Sequence, residues 1–370
     1  MTTILDLIER IPSVCENILK EYPVSFDAAL SKLEQPISEL DELIFIGSGT
    51  SDTSARTAAP LVREFSGLRT TLVWPGEMEN LLAEKEEGNV FGLNPKGLYI
   101  FTSQTGTSRT TARMMEKIQS LGLMTLSITE NEETPLAKIS RIHLSMGCGK
   151  EEFPMRTIGY VSSALDHCLL AMAIGRKRGV LSLDEHEQLR KEALAACRNR
   201  VKIQETIRNW FPKISSRLMN AQELVFTGSG TMYGISLEGA VKCWEMPQKP
   251  TFAFETEEGM HGPVFGYNGK QFLVLLTDGR EPNMQLGASL VRYLSDVFQS
   301  ACAVGNLGNP FSSLSKESAC PLELAGGHFS FIEMSAVIQL IAYLLTQAIG
   351  RDVSKPIDHT QMYRYFNTHG

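Results

Sequence analysis

Gly97-Leu98-Tyr99-Ile100-Phe101-Thr102-Ser103-Gln104-Thr105-Gly106-Thr107-Ser108 carries an apolar run straight into a turn crowded with hydroxyls. The run from Gly97 to Ile100 reads as a buried parallel strand, since a short continuous apolar segment closed by a turn suits a strand covered on both faces. From Arg109 to Ser120 the positions Thr111, Met114, Met115 and Ile118 repeat at helical spacing, so the turn joins a strand to a helix. Thr102, Ser103, Thr105, Thr107 and Ser108 place five hydroxyls on it. Hydroxyl donors and N–H groups at the positive end of a helix dipole suit a phosphate dianion. The turn has neither a Walker-type lysine nor G-x-G-x-x-G, so the nucleotide fingerprints are unmatched. Read alone, it fits a simple helix cap equally well.

Working outward, the spacing predicts helices over Thr3 to Lys20 and Phe26 to Gln35, the second stopped by Pro36. Leu43 to Ile46 reads as a buried strand, followed by Gly47-Ser48-Gly49-Thr50-Ser51 and a helix to about Phe65. Strands follow at Thr70 to Val73, Leu123 to Ile128 and Ile142 to Leu144, with helices over residues 78–86 and from Tyr160 to Ile174. Strands alternating with helices imply a parallel sheet covered on both faces. The plan then repeats. Leu224-Val225-Phe226-Thr227-Gly228-Ser229-Gly230-Thr231 echoes Leu43 to Thr50 about 180 residues on, roughly one domain length. A helix from Gly234 to Trp244, strands at Thr251 to Phe254, Phe272 to Leu276, Ala301 to Val304 and Pro321 to Leu324, and helices at Met284 to Phe298 and Phe331 to Ile349 complete the second copy. The expected division is a first domain over 1–180, a helical linker over 181–210, a second domain over 211–350 and a tail over 351–370. The second copy has Leu276-Thr277-Asp278-Gly279-Arg280 where the first has its hydroxyl-rich turn. Asp278 there disfavours a second phosphate.

Composition narrows the function classes. The chain has 370 residues, 43% hydrophobic and 21% charged, and a formal net charge of −7 with no long basic run. That disfavours nucleic-acid binding. The seven cysteines are irregularly spaced with no C-x-x-C, which suits reduced thiols rather than disulfides or a zinc cluster. The amphipathic, acidic start Met1 to Arg10 does not resemble a signal sequence. No run is read as reaching membrane-span length. The expectation is a cytoplasmic protein with no metal, no nucleic acid and no membrane partner.

The chemistry is expected in the second half. In Glu238-Gly239-Ala240-Val241-Lys242-Cys243-Trp244-Glu245 the three charged residues stand at i, i+4 and i+7, on one helical face. A surface ion pair with a spare carboxylate fits the same spacing. Apolar neighbours argue against a surface pair, and the preceding glycine-rich turn implies that the helix's amino end sits at the carboxyl edge of a sheet, where ligands bind in open α/β folds. His261, in Glu257-Glu258-Gly259-Met260-His261-Gly262-Pro263, sits between glycines. On such a loop it is either a proton carrier near neutral pH or a solvated side chain.

Together these residues resemble the double sugar-isomerase-domain family, including the isomerase half of glucosamine-6-phosphate synthases and the fructosamine-6-phosphate deglycases. The likeness covers nearly the whole chain and rests on four motifs in order: G-x-G-T-S at Gly47 to Ser51, S-Q-[ST]-G-x-[ST] at Ser103 to Ser108, E-G-A-x-K-x-x-E at Glu238 to Glu245, and H-G-P at His261 to Pro263. The resemblance implies two similar three-layer αβα domains with parallel, flavodoxin-like sheets. It implies a sugar-phosphate cup formed by Ser48, Thr50, Ser103, Gln104, Thr105 and Ser108. It also implies Glu245 as the proton-transfer base, Lys242 beside the substrate's O1 or O2, Glu238 orienting Lys242, and His261 opening the sugar ring from a neighbouring subunit. A homodimer or higher homo-oligomer with shared sites follows, as does a place in carbohydrate or amino-sugar metabolism without a cofactor.

The chain also departs from the synthases. It begins with the sugar-binding half, so neither a glutaminase domain nor an N-terminal Cys nucleophile is expected. Gln361 falls near the position of the lysine that forms a Schiff base in the synthases, and only Arg364 is basic beyond it. A substrate that already carries an amine at C1 has no need of that lysine. The expected enzyme therefore cleaves a fructosamine-type 6-phosphate to an aldose 6-phosphate and a free amine. The alternatives are a simple aldose–ketose 6-phosphate isomerase and a non-catalytic sugar-phosphate sensor, since fold alone does not fix function.

Overall fold

The computed structural model describes residues 2–83, 92–353 and 360–368. Two helices, α1 (Ile4–Glu21) and α2 (Val24–Leu30), lead into β1 (Glu42–Ile46), α3 (Thr50–Ser66), β2 (Arg69–Val73), α4 (Pro75–Ala83), β3 (Gly97–Thr102) and α5 (Arg109–Ser120). Then come β4 (Met124–Thr129), α6 (Pro135–Ile139), β5 (His143–Ser145), α7 (Ile158–Arg178) and α8 (Leu183–Trp210). The second half contains α9 (Ser215–Asn220), β6 (Glu223–Gly228), α10 (Thr231–Glu245), β7 (Thr251–Glu255), β8 (Gln271–Thr277), α11 (Met284–Phe298), β9 (Ala301–Gly305), β10 (Ala319–Pro321), α12 (Ser330–Ala348) and α13 (Thr360–Tyr363).

Strands β1 to β5 form one parallel sheet in the order β2-β1-β3-β4-β5, and β6 to β10 form another in the order β10-β9-β8-β6-β7. Counted from the first strand of each sheet, both have the flavodoxin-like order 2-1-3-4-5. Side chains alternate across each strand with period two. In β1, Ile44 and Ile46 join Met114, Met115 and Ile118 of α5 in one core. Phe45 turns to the opposite face, its ring 4.7 Å from that of His167 in α7. In β6, Val225 packs with Ala288, Val291 and Leu294 of α11, while Phe226 lies against Gly239 of α10 on the other face. Helices on both faces of each sheet make two three-layer α/β units. The repeated turn is matched in its backbone. Gly49 (φ 57°, ψ −128°) and Gly230 (φ 56°, ψ −124°) precede α3 and α10 in nearly the same conformation.

The chain forms two compact units. One contains the first sheet, Val14–Glu152 and Ile158–Gln188, together with the C-terminal residues from position 356. The other contains the second sheet, Phe153–Thr157 and Leu189–Lys355, with the residues up to Ser13. Helix α8 does more than connect. Arg200 of α8 is fully buried and donates from Nη1 to the Ile332 carbonyl and the Ser335 hydroxyl, and from Nη2 to Gln339 Oε1 of α12.

Several element boundaries depart from the sequence reading. The second helix ends at Leu30, with Ser31 closing it, well before Pro36. Helix α6, which starts at a proline capped by the Thr134 hydroxyl, was too short to show periodicity. Helix α10 begins at Thr231 rather than Gly234, and the last strand is Ala319–Pro321 rather than Pro321 to Leu324. Residues 84–86 of the expected 78–86 helix, and 354–359 of the tail, lie outside the described residues. Two segments, Ile158–Arg178 and Gly327–Ala348, are long and apolar enough to cross a membrane, which corrects the reading that no run reaches that length. Their apolar windows are 100% and 89% buried within the fold, so core packing accounts for the composition. None of the seven cysteines forms a disulfide.

Candidate functional site

Two loops leave adjacent strands of the first sheet. Ile46 of β1 is in register with Phe101 of β3, so Gly47–Thr50 and Ser103–Ser108 emerge side by side at the carboxyl edge, where the strand order reverses. Open α/β sheets bind ligands in that crevice. Neither α3 nor α5 has a side-chain cap at its amino end. Ser48 is exposed, Thr50, Ser103, Thr105 and Ser108 are part-buried, and Gln104 is buried. The first half of the loop is pinned: Ser103 N donates to the Ile128 carbonyl (3.1 Å), Gly106 N to the Ser103 carbonyl (3.0 Å), and Glu130 N to the Gln104 carbonyl (2.9 Å). The Arg109 N–H at the start of α5 donates to the Thr368 carbonyl of the C-terminal segment (3.3 Å).

The five hydroxyls do not all converge. Thr102 ends β3 on the buried face, and its Oγ1 lies 2.9 Å from His167 Nε2 beneath the loop. Burial holds the His167 pKa down to about 3, so the ring there is neutral. Thr105 and Thr107 hydroxyls bond each other at 2.8 Å, and Thr111 donates to Ser108 Oγ at 2.9 Å. The hydroxyls facing the carboxyl edge are thus oriented by their own neighbours.

The second cluster sits on α10. Glu238 and Lys242 are fully buried, and Glu245 is one-third exposed. Lys242 Nζ lies 3.0 Å from Glu238 Oε1 and 2.6 Å from Glu245 Oε2. Burial pulls the Lys242 pKa down, but its ion pairs with Glu238 and Glu245 outweigh burial and hold it above the ordinary lysine value. The surface ion-pair reading therefore fails. The Lys242 ammonium is enclosed between the two carboxylates. Arg351 Nη1 closes the end of α10 by donating to the Glu245 (3.2 Å) and Met246 carbonyls.

The amino end of α10 lies at the carboxyl edge of the second sheet, as the glycine-rich turn before it suggests, and the cluster lies further along the helix. At 1.5 Å rise per residue, the charged residues occupy the later half of α10, away from the glycine turn. Trp244 Nε1 donates to the carbonyl of Thr251, the first residue of β7 (2.9 Å), so Glu245 stands toward the amino edge of the second sheet. His261 follows the other end of β7, on an exposed loop. Its side chain is 71% exposed, and Nε2 is 4.0 Å from Glu257 Oε1. The structure brings Glu238, Lys242 and Glu245 together and leaves His261 at the opposite end of the same strand.

The carboxyl edge of the second sheet holds carboxylates that sequence reasoning missed. Glu255 accepts from Ser229 Oγ (2.5 Å) and from the N–H groups of Glu257 (2.8 Å) and Glu258 (3.1 Å). Glu281 accepts from Thr277 Oγ1 (2.6 Å) and Asp278 N (3.3 Å). Asp278, the residue singled out from the sequence, instead takes bonds from Arg280 and Ser330. Between Ser229, Thr256, Thr277 and Glu281 a cavity of ≈ 20 Å³ remains, enough for one water molecule and far too small for a sugar phosphate. Among the described residues no group of three or more His, Cys, Asp or Glu is placed to hold a metal ion.

No family model matches the chain. It is 22% identical over 326 residues, 86% of its length, to the glutamine–fructose-6-phosphate aminotransferase (isomerizing) of Helicobacter pylori. It spans about half the length of the curated relatives it matches, 51% of that one. A candidate phosphosugar isomerase from Clostridium difficile 630 superposes with a TM-score of 0.85 at 22% identity, covering 98% of both chains. The C-terminal domain of glucosamine-fructose-6-phosphate aminotransferase from Francisella tularensis has a TM-score of 0.75 at 18% identity, covering 95% of this chain and 98% of that one.

Proposed function

From the premise that this chain has the double sugar-isomerase-domain fold, we propose that it is a phosphosugar isomerase-type enzyme acting on a ketosamine 6-phosphate. The observation that carries the reading is the Glu238–Lys242–Glu245 cluster, in which a sealed ammonium fixes one part-exposed carboxylate. A buried charge is costly and is retained with a partner. Here the partner's reward is a carboxylate held on a rigid helix, as a general base for carbon-bound protons requires.

In this reading the hydroxyls and helix amino ends of Ser48, Thr50, Ser103, Gln104, Thr105 and Ser108 bind the phosphate. Glu245 moves the proton between C1 and C2 through an enaminol, one base serving both transfers. Lys242 positions Glu245, and Glu238 balances Lys242. Proton transfer next to an imine needs neither hydride nor metal. The shifted imine takes up water and releases an aldose 6-phosphate and the free amine. On a substrate without the amine, the same steps interconvert ketose and aldose 6-phosphates. The deglycase form is favoured by Gln361 near the position where the resemblance places a Schiff-base lysine.

We assign His261 to ring opening in a site shared with a neighbouring subunit. Its exposure, at the end of β7 away from Glu245, supports that assignment. The deciding experiment incubates the protein with a panel of phosphorylated sugars and glycated amino acids, with NMR detection of new aldose 6-phosphate and free amine. Binding without turnover of any member would leave a sensor and end the enzyme reading.

A further inference from the structure

Glu151 lies in the turn Cys148-Gly149-Lys150-Glu151 before α7, outside every motif used so far. It is 5% exposed. Its Oε1 accepts from Ile158 N (2.9 Å), and its Oε2 accepts from Gly159 N (3.2 Å) and from the side-chain amide Nε2 of Gln104 (3.2 Å). One carboxylate thus ties the amino end of α7 to the centre of the hydroxyl-rich loop. Gly159 completes the arrangement. A Cβ there would fall 1.9 Å from Gln104 Oε1, so the amide occupies space that only glycine leaves open. Gln104 Oε1 has no hydrogen-bond partner among the described residues. The side chain is therefore held by the Glu151 bond and by packing on Gly159, while its backbone carbonyl holds Glu130 N.

We propose that Glu151 is a positioning residue for ligand binding, setting the loop from Ser103 to Ser108 through Gln104. The inference rests on the reading of that loop as a phosphate site. Buried carboxylate bonds to N–H groups are strong and directional, and a loop fixed in its bound shape spares the ligand the cost of ordering it. A carboxylate that only capped α7 would serve α7 and leave the loop alone. The two roles differ in how Glu151 couples to Gln104.

The test uses the full chain and two measurements. Calorimetry follows inorganic phosphate and fructose 6-phosphate binding to the parent, Glu151→Ala, Gln104→Ala and the double variant. Each single change should weaken binding at least tenfold, and the double variant should bind no worse than the weaker single, since both act through one contact. Additive losses overturn the proposal. Gly159→Ala covers the case in which Glu151→Ala fails to fold: alanine is the better helix former, yet its Cβ displaces the Gln104 amide. It should reproduce the tenfold loss, and parent-like binding by Gly159→Ala overturns the proposal. Amide hydrogen exchange at Ser103 and Gly106 supplies an arm that needs no ligand. Exchange there should accelerate in Glu151→Ala, or in Gly159→Ala if the former does not fold, and unchanged protection overturns the proposal. A parent that binds neither probe removes the phosphate reading, while the exchange arm still decides whether Glu151 sets the loop.

Discussion

The two sheets share a strand order, a glycine turn of one conformation and a helix leading from it, yet their carboxyl edges differ in what satisfies the loops. In the first sheet loop hydroxyls bond one another, Thr105 with Thr107 and Thr111 with Ser108, beside two helix ends without a side-chain cap. In the second sheet Glu255 and Glu281 accept from the corresponding serine, threonine and N–H groups. The protein's own carboxylates fill the role that a bound anion would fill. Glu255 shows the effect: burial raises its pKa, but bonds from Ser229 and the loop N–H groups outweigh burial and lower it. The repeated α/β unit carries the same glycine turn twice, and in the second copy internal acids take the place of an anion; in the proposed function that copy supplies Glu245 from its first helix.

That division of labour sets the largest expected effect. Glu245→Gln keeps shape and hydrogen bonding but removes the base, and loss of a general base typically costs about 10²–10⁴-fold in rate. Turnover should fall by that factor with affinity for fructose 6-phosphate unchanged. Exchange of the C1 proton with deuterated solvent should vanish with it. Near-parent turnover would make Glu245 a structural ion-pair residue and remove chemistry from the second unit. Subunit sharing is checked with the same variant: mixing it with His261→Ala, under conditions in which subunit exchange is demonstrated, should restore activity.

Next in size is the clamp. Lys242→Met leaves Glu238 buried without its cation, a change that costs about 3–5 kcal/mol when one partner of a buried pair is removed. Urea denaturation should show a loss of that order, with the slope unchanged. A loss below about 1 kcal/mol would mean that water reaches Glu238 and that the pair is no more than a surface bridge.

Smaller still is the contrast between the edges themselves. Each hydrogen bond to a phosphate dianion contributes about 1.5–3 kcal/mol, so Ser103→Ala should weaken fructose 6-phosphate binding roughly tenfold or more. Thr277→Ala, at the end of the equivalent strand β8, should leave that affinity within about twofold, because its hydroxyl serves Glu281. Equal effects at both positions would abolish the comparison.

Much of this was legible in the sequence because it depends on local pattern. Continuous apolar runs gave the strands, and the echo of Leu43 to Thr50 at Leu224 to Thr231 gave the repeat. The i, i+4, i+7 spacing put Glu238, Lys242 and Glu245 on one face. Depth was not legible: the same spacing describes a surface pair, and only the packing around α10 seals Lys242. The amino end of α10 lies at the carboxyl edge as its glycine turn suggests, and Glu245, at the far end of the same helix, lies toward the opposite edge. Glu151 and Glu281 escaped for different reasons. The bond from Gln104 to Glu151 spans 47 residues and forms only when the chain has folded back, while Glu281 bonds Thr277 and Asp278 within one irregular turn, where no periodicity marks it. Asp278 drew attention by standing at the aligned position, although Glu281, three residues on, caps the loop.

The smallest effect separates the two edges by pH. Glu281 is raised above the ordinary glutamate value, chiefly by burial, with Asp278 adding to it. Above the ordinary pKa the unfolded chain gives up this proton while the folded chain keeps it, so the folded state binds more protons through that window. Stability from this group is then greatest at low pH and falls as pH rises from the ordinary value through the folded one, by no more than about 1.4 kcal/mol per pH unit. Glu281→Gln cannot titrate. Its unfolding free energy relative to the parent should therefore climb across that window, whatever constant offset the lost acceptor introduces. Ser103→Ala, which changes an edge built on hydroxyls, should run parallel to the parent over the same range. Denaturant midpoints at pH 4.5 and pH 7 are enough to measure both differences. If the Glu281→Gln curve also runs parallel, the carboxylate is solvated rather than buried against Thr277, and the second edge is open.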